Sequence, residues 1–437
     1  CDRIRQVTFA RQLPADGTFP GVKFRVPNPE VPESMELVCA EAQELGADAG
    51  YATDPDADRL GVAVPEDGNW RCLSGNEIAV LLAAYIIETR RDRKTLPAQG
   101  FVIKTAVTTE LLTRIAQRNG VQIVGDLLVG FKHIGQVLDA IERDGRFRHL
   151  RGTPHDFLLA AEESNGVLVS AQFRDKDAGG GALLLAELCA RLRQRGSNLG
   201  AYLADVYRRY GYAANAGYSL VMEGISGLHL VAQAMDQVRA HPPGTFEGRA
   251  LQGTADYWDE TAFGNIRSET DRSARNFVRL EYERGLWISV RPSGTEPKIK
   301  FYVEQMFDPT PAWVGAGFAA ARGEMDGATR RITLALVDRV LRLVGIELPS
   351  AALVVSSLVS LENRLDFARR FLPELEARLR SADTANPAAL AVWVDERLGG
   401  YGSDPRDLVR AGVAAHFRAT PLPPAQTRIL QRLFSLS

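Results

Sequence analysis

The sequence predicts an α/β protein: consecutive α/β domains built on mixed sheets, then a small α+β domain, then a helical C-terminal extension. Three observations carry this. From about residue 47, short apolar or β-branched runs alternate with helical periodicity. Near residue 213 the alternation gives way to closely spaced strands. Beyond "FDPTPAW" (Phe307 to Trp313) the pattern is mostly helical and contains no lysine. A chain of 437 residues is too long for one core, and the expected divisions are 1–100, 101–212, 213–308 and 309–437.

Taken in order, "ADAGYATD" and "LGVAV" read as strands, and "NEIAVLLAAYIIETRR" as a helix opened by Asn76. "FVIKTAV" is a strand. "TTELLTRIAQRNG" is a helix with threonine at its start and Gly120 at its end. "VQIVGD", a helix after "GFKHIG", the strand "FLLAAEE" and the long helix "GGALLLAELCARLRQRG" continue the alternation. In the α+β part, "AGYSLVMEG" is followed by a helix through "ISGLHLVAQAMDQVRAH". The antiparallel strands of "NFVRLEYERGLWISVRPSGTEPKIKFYVEQ" come next. The extension carries no recognisable chemistry and reads as a packing or oligomerisation element.

Composition narrows the function. The chain is 45% hydrophobic and 24% charged with a net charge of −2, so no basic excess points to nucleic acid. Its longest apolar runs fall short of the roughly 20 residues that span a bilayer. Four cysteines (Cys1, Cys39, Cys72, Cys189) lack CxxC spacing, which indicates neither a zinc site nor a disulfide framework. A reducing cytoplasm is the expected compartment. The opening "CDRIRQVTFARQLPADG" has no methionine, no signal-peptide pattern and no complete first element, as expected of a piece of something longer. Seven lysines stand against 45 arginines, and Lys132, Lys176, Lys298 and Lys300 all fall in the motifs below. Drift towards arginine explains the bulk; the survivors point weakly to places that need a compact ammonium.

"YATDPDADRLGVAV" sets Asp54, Asp56 and Asp58 at alternate positions before Arg59. In extended chain they share one side, and three carboxylates there suit a hard cation such as Mg²⁺. The bland alternative is a solvated acidic turn. An EF-hand is excluded, because Arg59 stands where the loop needs glycine and Pro65 where it needs glutamate. Arg59 beside a metal-bound phosphate can stabilise the charge of phosphoryl transfer.

"RPSGTEPK" concentrates anion-binding features: Arg291 as a fork, Ser293 and Thr295 as hydroxyl donors, the Gly294 turn and Lys298 as a point charge. A plain hairpin turn is the alternative. "GFKHIG" has P-loop glycine spacing, but Gln136 replaces the required lysine, so a Walker motif is rejected. Lys132 can still meet a sugar or phosphate oxygen. "EESNG" brings Glu162 and Ser164 as acceptors for vicinal hydroxyls, or as a helix cap. "RDKD" (Arg174 to Asp177, with Lys176) precedes a glycine-opened helix whose N-terminus favours anions.

In this order, "DPDADRLG", "GFKHIG", "EESNG", "RDKD" and "RPSGTEPKIKFY" resemble the α-D-phosphohexomutase superfamily, most closely its phosphoglucomutase and phosphomannomutase type. "PNPEVPE" and "GNEIAVLL" add to the resemblance, which covers roughly residues 20 to 306. The family has four domains around a cleft. The resemblance implies Mg²⁺ on Asp54, Asp56 and Asp58, with Arg59 beside the transferring group. It implies sugar hydroxyls on Glu162 and Ser164, and Lys132 near the substrate. It further implies a distal phosphate on Arg291, Ser293, Gly294 and Thr295. A hexose 1,6-bisphosphate is the implied intermediate and a sugar phosphate the implied partner. The EES form resembles glucose-handling members. The family's nucleophile is a phosphoserine in a T-A-S-H-N-P loop, and no such loop occurs in these residues. The expectation is therefore a chain that lacks the catalytic-serine domain and is inactive alone. A non-catalytic sugar-phosphate binder is the competing class. A phosphatase with an aspartyl nucleophile also uses D-x-D, but "RPSGTEPK" does not belong to it.

Overall fold

The computed structural model describes residues 4–8, 16–66, 68–294, 297–313, 317–381 and 387–436. The chain forms two compact units. One comprises Cys1–Ala214 with Met306–Glu324, the other Asn215–Gln305 with Met325–Ser437.

In the first unit, helix α1 (Glu36–Glu44) packs on a three-stranded antiparallel sheet of β1 (Gly50–Thr53), β2 (Leu60–Glu66) and β3 (Asn69–Leu73). The β2 run Leu60 to Val64 is buried without interruption. That removes the usual alternation of strand burial, because helices cover both faces. Helix α2 (Gly75–Asp92) starts earlier than the sequence suggests. Ser74 is its cap, with its hydroxyl accepting from the Glu77 N–H while its own N–H donates to the Glu77 carboxylate at 2.9 Å. Asn76, expected to open the helix, is buried and accepts from the Thr109 N–H at 2.9 Å.

A second sheet follows from β4 (Phe101–Thr105), β5 (Gln122–Leu127), β8 (Phe157–Ala161) and β9 (Val167–Leu168) in the order β5-β4-β8-β9. β4 runs parallel to β5 and β8, while β9 is antiparallel, so the sheet is mixed as expected. The connecting helices are α3 (Glu110–Arg118), α4 (Phe131–Asp144), α5 (Ala178–Gln194) and α6 (Leu199–Tyr210). A small hairpin, β6 (Arg146–Phe147) with β7 (Leu150–Arg151), sits between α4 and β8. Phe101, Ile103, Val124, Ile134, Val137 and Phe157 are among the buried side chains of this core. Lys104 on β4 is fully buried there. Its ammonium is neutralised by Glu110 at 3.0 Å and donates to the carbonyls of Thr108 and Gly125.

The second unit is built on one six-stranded sheet, in the order β10-β15-β14-β13-β12-β11. Its strands are β10 (Tyr212–Val221), β11 (Thr245–Phe246), β12 (Arg249–Asp256), β13 (Val278–Tyr282), β14 (Leu286–Pro292) and β15 (Lys298–Phe307). Neighbours from β11 to β15 pair antiparallel. Helix α7 (Gly224–Ala240) packs against β14, and two short helices, α8 (Glu260–Phe263) and α9 (Glu269–Ala274), lie between β12 and β13. Strand β12 has no clear signal in the sequence, because glycine at 253 and a register shift beside it interrupt the pattern.

The helical extension is observed as α10 (Gly317–Leu343), α11 (Ser350–Leu353), α12 (Leu361–Asp366), α13 (Leu372–Arg380), α14 (Pro387–Leu398), α15 (Pro405–Ala419) and α16 (Pro424–Phe434). A single π-helical turn at Phe367–Phe371 joins α12 to α13. Within the second unit, buried polar contacts tie it to the sheet. Thr329 on α10 donates to the Gln305 side chain at 2.9 Å. Arg364 is fully buried and has no carboxylate partner among the described residues: it donates to the Tyr218 hydroxyl on β10 and to the carbonyls of Ala352, Ser356 and Val359. Among the described residues no helix is long and apolar enough to cross a membrane.

Candidate functional site

The β1–β2 hairpin pairs Thr53 with Leu60, so Asp54 to Arg59 are its loop. Asp54 is nearly buried, and its Oδ1 accepts the backbone N–H groups of Asp58 and Arg59 at 3.1 and 3.0 Å. The turn holds Ala57 at φ +57°, a left-handed conformation that side chains with a Cβ seldom adopt. The Ala57 N–H donates to the Asp54 carbonyl, and its own carbonyl accepts from Ala178 at the start of α5. Side-chain oxygens of Asp54, Asp56 and Asp58 lie within 4.8 Å of one another.

Electrostatics follows from that crowding. Burial pushes the Asp54 carboxyl above the usual range, against the Arg59 N–H, and the carboxylates of Asp58 and Asp56 push it further. Burial raises Asp58 too, but Lys176, the neighbouring Asp54 and the Arg59 charge outweigh it and hold that carboxyl below the usual range. Asp58 Oδ1 is buried and accepts no hydrogen bond among the described residues. Arg59 Nε stands 3.8 Å away, beyond hydrogen-bond reach. A buried oxygen left so, beside two further carboxylates, fits a hard divalent cation that takes only oxygen ligands. Arg59 is itself held at 3.5 Å by Asp54 and at 3.5 Å by Glu30.

Three more loops of the first unit converge here. The Leu60 N–H donates to the Asn165 carbonyl at 2.9 Å, and Asn165 Nδ2 returns a bond to the Leu60 carbonyl at 2.8 Å. This fastens the loop of Glu162 to Gly166 onto the acidic hairpin. Gly75 lies so close under the same loop that a methyl group would come within 2.3 Å of the Glu163 carbonyl oxygen. Glu162 is buried, and its Oε1 accepts the Gly130 N–H at 2.9 Å, joining "EESNG" to "GFKHIG". Lys176 places Nζ 2.8 Å from Asp58 Oδ2. Its stem lies over Gly166, where a methyl group would meet Lys176 Cδ at 2.4 Å. Burial alone would lower the Lys176 pKa. The carboxylates of Asp58, Glu162 and Asp175 outweigh burial, raise it and keep the ammonium charged. Asp177 caps α5 by accepting from the Gly180 N–H.

Not every expected residue joins this cluster. Ser164 is half-buried in its loop, and Lys132 is exposed in the first turn of α4, with no ion pair among the described residues. Arg174 turns onto α4 and bonds Glu142 and the Ala171 carbonyl. Reasoning from sequence misses two participants. Glu30 lies in "PNPEVPE" and gives no local signal for its contact with Arg59. Asn165 does carry one: asparagine before glycine tolerates the left-handed backbone it adopts, at φ +66°.

The Arg291–Lys298 turn belongs to the second unit. β14 and β15 pair Arg291 with Lys300 and Pro292 with Ile299, and the Ser293 N–H donates to the Lys298 carbonyl at 2.7 Å. Arg291 donates from its two terminal nitrogens to the Pro292 carbonyl and the Tyr302 hydroxyl, each at 3.2 Å. Its Nε is buried and finds no acceptor among the described residues. Ser293 and Lys298 are half-buried and Gly294 is exposed, while Thr295 lies outside the described residues.

Comparison with known proteins identifies three domains in chain order. Residues 4–68 match the phosphoglucomutase/phosphomannomutase α/β/α domain II, 74–210 match domain III, and 260–309 match the C-terminal domain. A phosphoglucomutase of Staphylococcus haemolyticus is 34% identical over 303 residues, covering 68% of this chain and 52% of the relative. A phosphoglucomutase of Staphylococcus aureus strain MRSA252 is 31% identical over 296 residues, covering 67% and 50%. The chain thus spans about half the length of the curated relatives it matches. Among solved structures, pp63/parafusin, a phosphoglucomutase of Paramecium, aligns at 19% identity with a TM-score of 0.47, covering 74% of this chain and 52% of that one. With three successive domain matches in chain order, this chain belongs to the α-D-phosphohexomutase superfamily.

Proposed function

We propose that the chain carries the metal, sugar and distal-phosphate loops of a Mg²⁺-dependent phosphohexomutase of phosphoglucomutase type. Such an enzyme interconverts hexose 1-phosphate and hexose 6-phosphate through a hexose 1,6-bisphosphate and a phosphoserine. The observation that carries the reading is Asp58: one oxygen engages Lys176, and the other is buried without a hydrogen-bond partner among Asp54, Asp56 and the described residues around them. Asp54, Asp56 and Asp58 would hold Mg²⁺, which supplies positive charge to the oxygens of a transferring phosphoryl group. Arg59, aimed by Asp54 and Glu30, adds a guanidinium to that group, and Lys176 adds an ammonium. Glu162 and Ser164 read sugar hydroxyls. Lys132 and Arg174 are assigned to the approach of the substrate. Arg291, Ser293, Gly294, Thr295 and Lys298 take the phosphate that does not transfer, and binding there orients the reacting end.

Calorimetry with glucose 1-phosphate and glucose 1,6-bisphosphate, in Mg²⁺ and in chelator, tests this. Binding of both, tighter with Mg²⁺, is expected; binding of neither sinks the reading. The competing reading is a sugar-phosphate binder without turnover. The coding sequence upstream of Cys1 separates the two. An in-frame serine loop of that type supports the mutase, and a start codon next to Cys1 supports the binder.

A further inference from the structure

The four cysteines are scattered in the sequence, but the fold brings two of them together. Cys39 on α1 and Cys72 on β3 place their sulfur atoms 3.5 Å apart. Both residues are half-buried, at the margin of the small core of Met35, Val38 and Ala63. Cys189 is occupied elsewhere, its sulfur 3.6 Å from the Tyr51 hydroxyl. Two thiols can sit in such a core simply as small apolar side chains. The distance argues for more. A disulfide needs sulfurs about 2.05 Å apart, so closing this contact requires the sulfurs to approach by roughly 1.5 Å.

We propose that Cys39 and Cys72 are a reversible disulfide site that ties α1 to the sheet whose hairpin carries the acidic loop. The oxidant is a small-molecule disulfide of the glutathione class. Burial pushes the Cys72 thiol up to about 12, and the neighbouring Cys39 contributes. The exchange opens at either thiol, for example at Cys39. Its thiolate bonds one sulfur of the small disulfide and expels the other half as a thiolate, which takes a proton. Cys72 then loses its proton and attacks the Cys39 sulfur, expelling the second half. In sum, two protein thiols are oxidised by two electrons and one small disulfide is reduced to two thiols. The bond would close a loop between positions 33 apart, constraining the unfolded chain and raising the melting temperature. In a reducing compartment the pair rests as thiols and responds to an oxidising shift. This inference does not depend on the mutase reading.

The test uses the full chain, first reduced, then equilibrated with oxidised glutathione. Denaturing alkylation and peptide mapping count the free thiols and identify any bridge. We expect labelling to fall from all four cysteines to Cys1 and Cys189, with one bridged peptide pair containing Cys39 and Cys72. The oxidised protein should melt higher than the reduced one, and Cys72→Ala should abolish that difference. Four labelled thiols, a bridge through Cys1 or Cys189, or oxidation that stops at glutathione on Cys39 would each overturn the proposal. The peptide map of the wild-type chain decides the matter even if the variant folds poorly.

Discussion

The acidic loop and the Arg291 turn both join antiparallel strands, yet they are held in different ways. Asp54 to Arg59 is tied down from several sides: by its own N–H groups on Asp54, by Ala178 on Ala57, by Asn165 on Leu60 and by Lys176 on Asp58. The Arg291 turn is closed by the Ser293 to Lys298 bond, and its arginine keeps a buried donor unused among the described residues. The first loop is assembled before any ligand arrives, and it concentrates like charge in doing so. The second holds its charge in reserve. Substitutions should therefore exchange stability for binding in the first loop and change binding alone in the second.

The largest expected effect breaks the first loop. Asp56 is exposed and takes no part in the hydrogen bonds of the turn. Asp56→Asn should weaken Mg²⁺ binding by more than the roughly tenfold to hundredfold that loss of an outer-shell partner costs. The metal-free protein should melt no lower than wild type, because one of three crowded charges is gone. Calorimetric Mg²⁺ titration and thermal melts in chelator measure both. Unchanged Mg²⁺ affinity would remove the metal assignment, and a lower metal-free melt would remove the account of crowding.

Arg291→Ala is the counterpart in the second loop. A charge-assisted hydrogen bond contributes about 1.5–3 kcal/mol, so glucose 1-phosphate should bind roughly tenfold to 150-fold more weakly. Mg²⁺ affinity and melting temperature should hardly move, since Arg291 makes only two internal bonds and leaves Nε unpartnered among the described residues. Sugar-phosphate affinity that survives the substitution would contradict the loop's role. A large loss of stability would erase the contrast between the loops.

The same contrast explains what is legible in the sequence. The alternate aspartates and the arginine-to-lysine run are local patterns whose chemistry lies in the residue types themselves. The α/β order, the later antiparallel strands and the helical extension also follow from local periodicity. Contacts between distant segments leave no such trace. Glu30 against Arg59, Cys39 against Cys72 and Arg364 against β10 are brought together by chain folding. Local pattern misplaces the opening of α2 for a related reason. Asn76 is a good capping residue, but a tertiary bond to Thr109 claims its side chain and Ser74 takes the cap.

A third charged cluster sharpens the comparison, and its effect should be the smallest. Glu66 at the end of β2 meets Arg71 at 2.8 Å and Arg322 at 2.6 Å, while Glu77 meets Arg71 at 2.9 Å. Here each carboxylate faces an arginine, where the acidic loop sets carboxylate against carboxylate. Burial raises the Glu66 pKa, but Arg322 and Arg71 together overcome it and hold the group at about 2, against an ordinary value of 4.5. Because the folded value is depressed, the stabilisation is complete above pH 4.5 and is lost as pH falls through about 2. Lowering a pKa by one corresponds to about 1.4 kcal/mol, so the full effect is on the order of 3 kcal/mol before solvent screening reduces it. Urea unfolding of wild type and Glu66→Gln across the acid range reads the difference. The variant should start less stable at neutral pH and lose less as the pH falls, so that the two curves converge. Parallel curves would mean that Arg322 and Arg71 do not hold Glu66 ionised in the folded chain, and that matched and crowded carboxylates are not energetically distinct here.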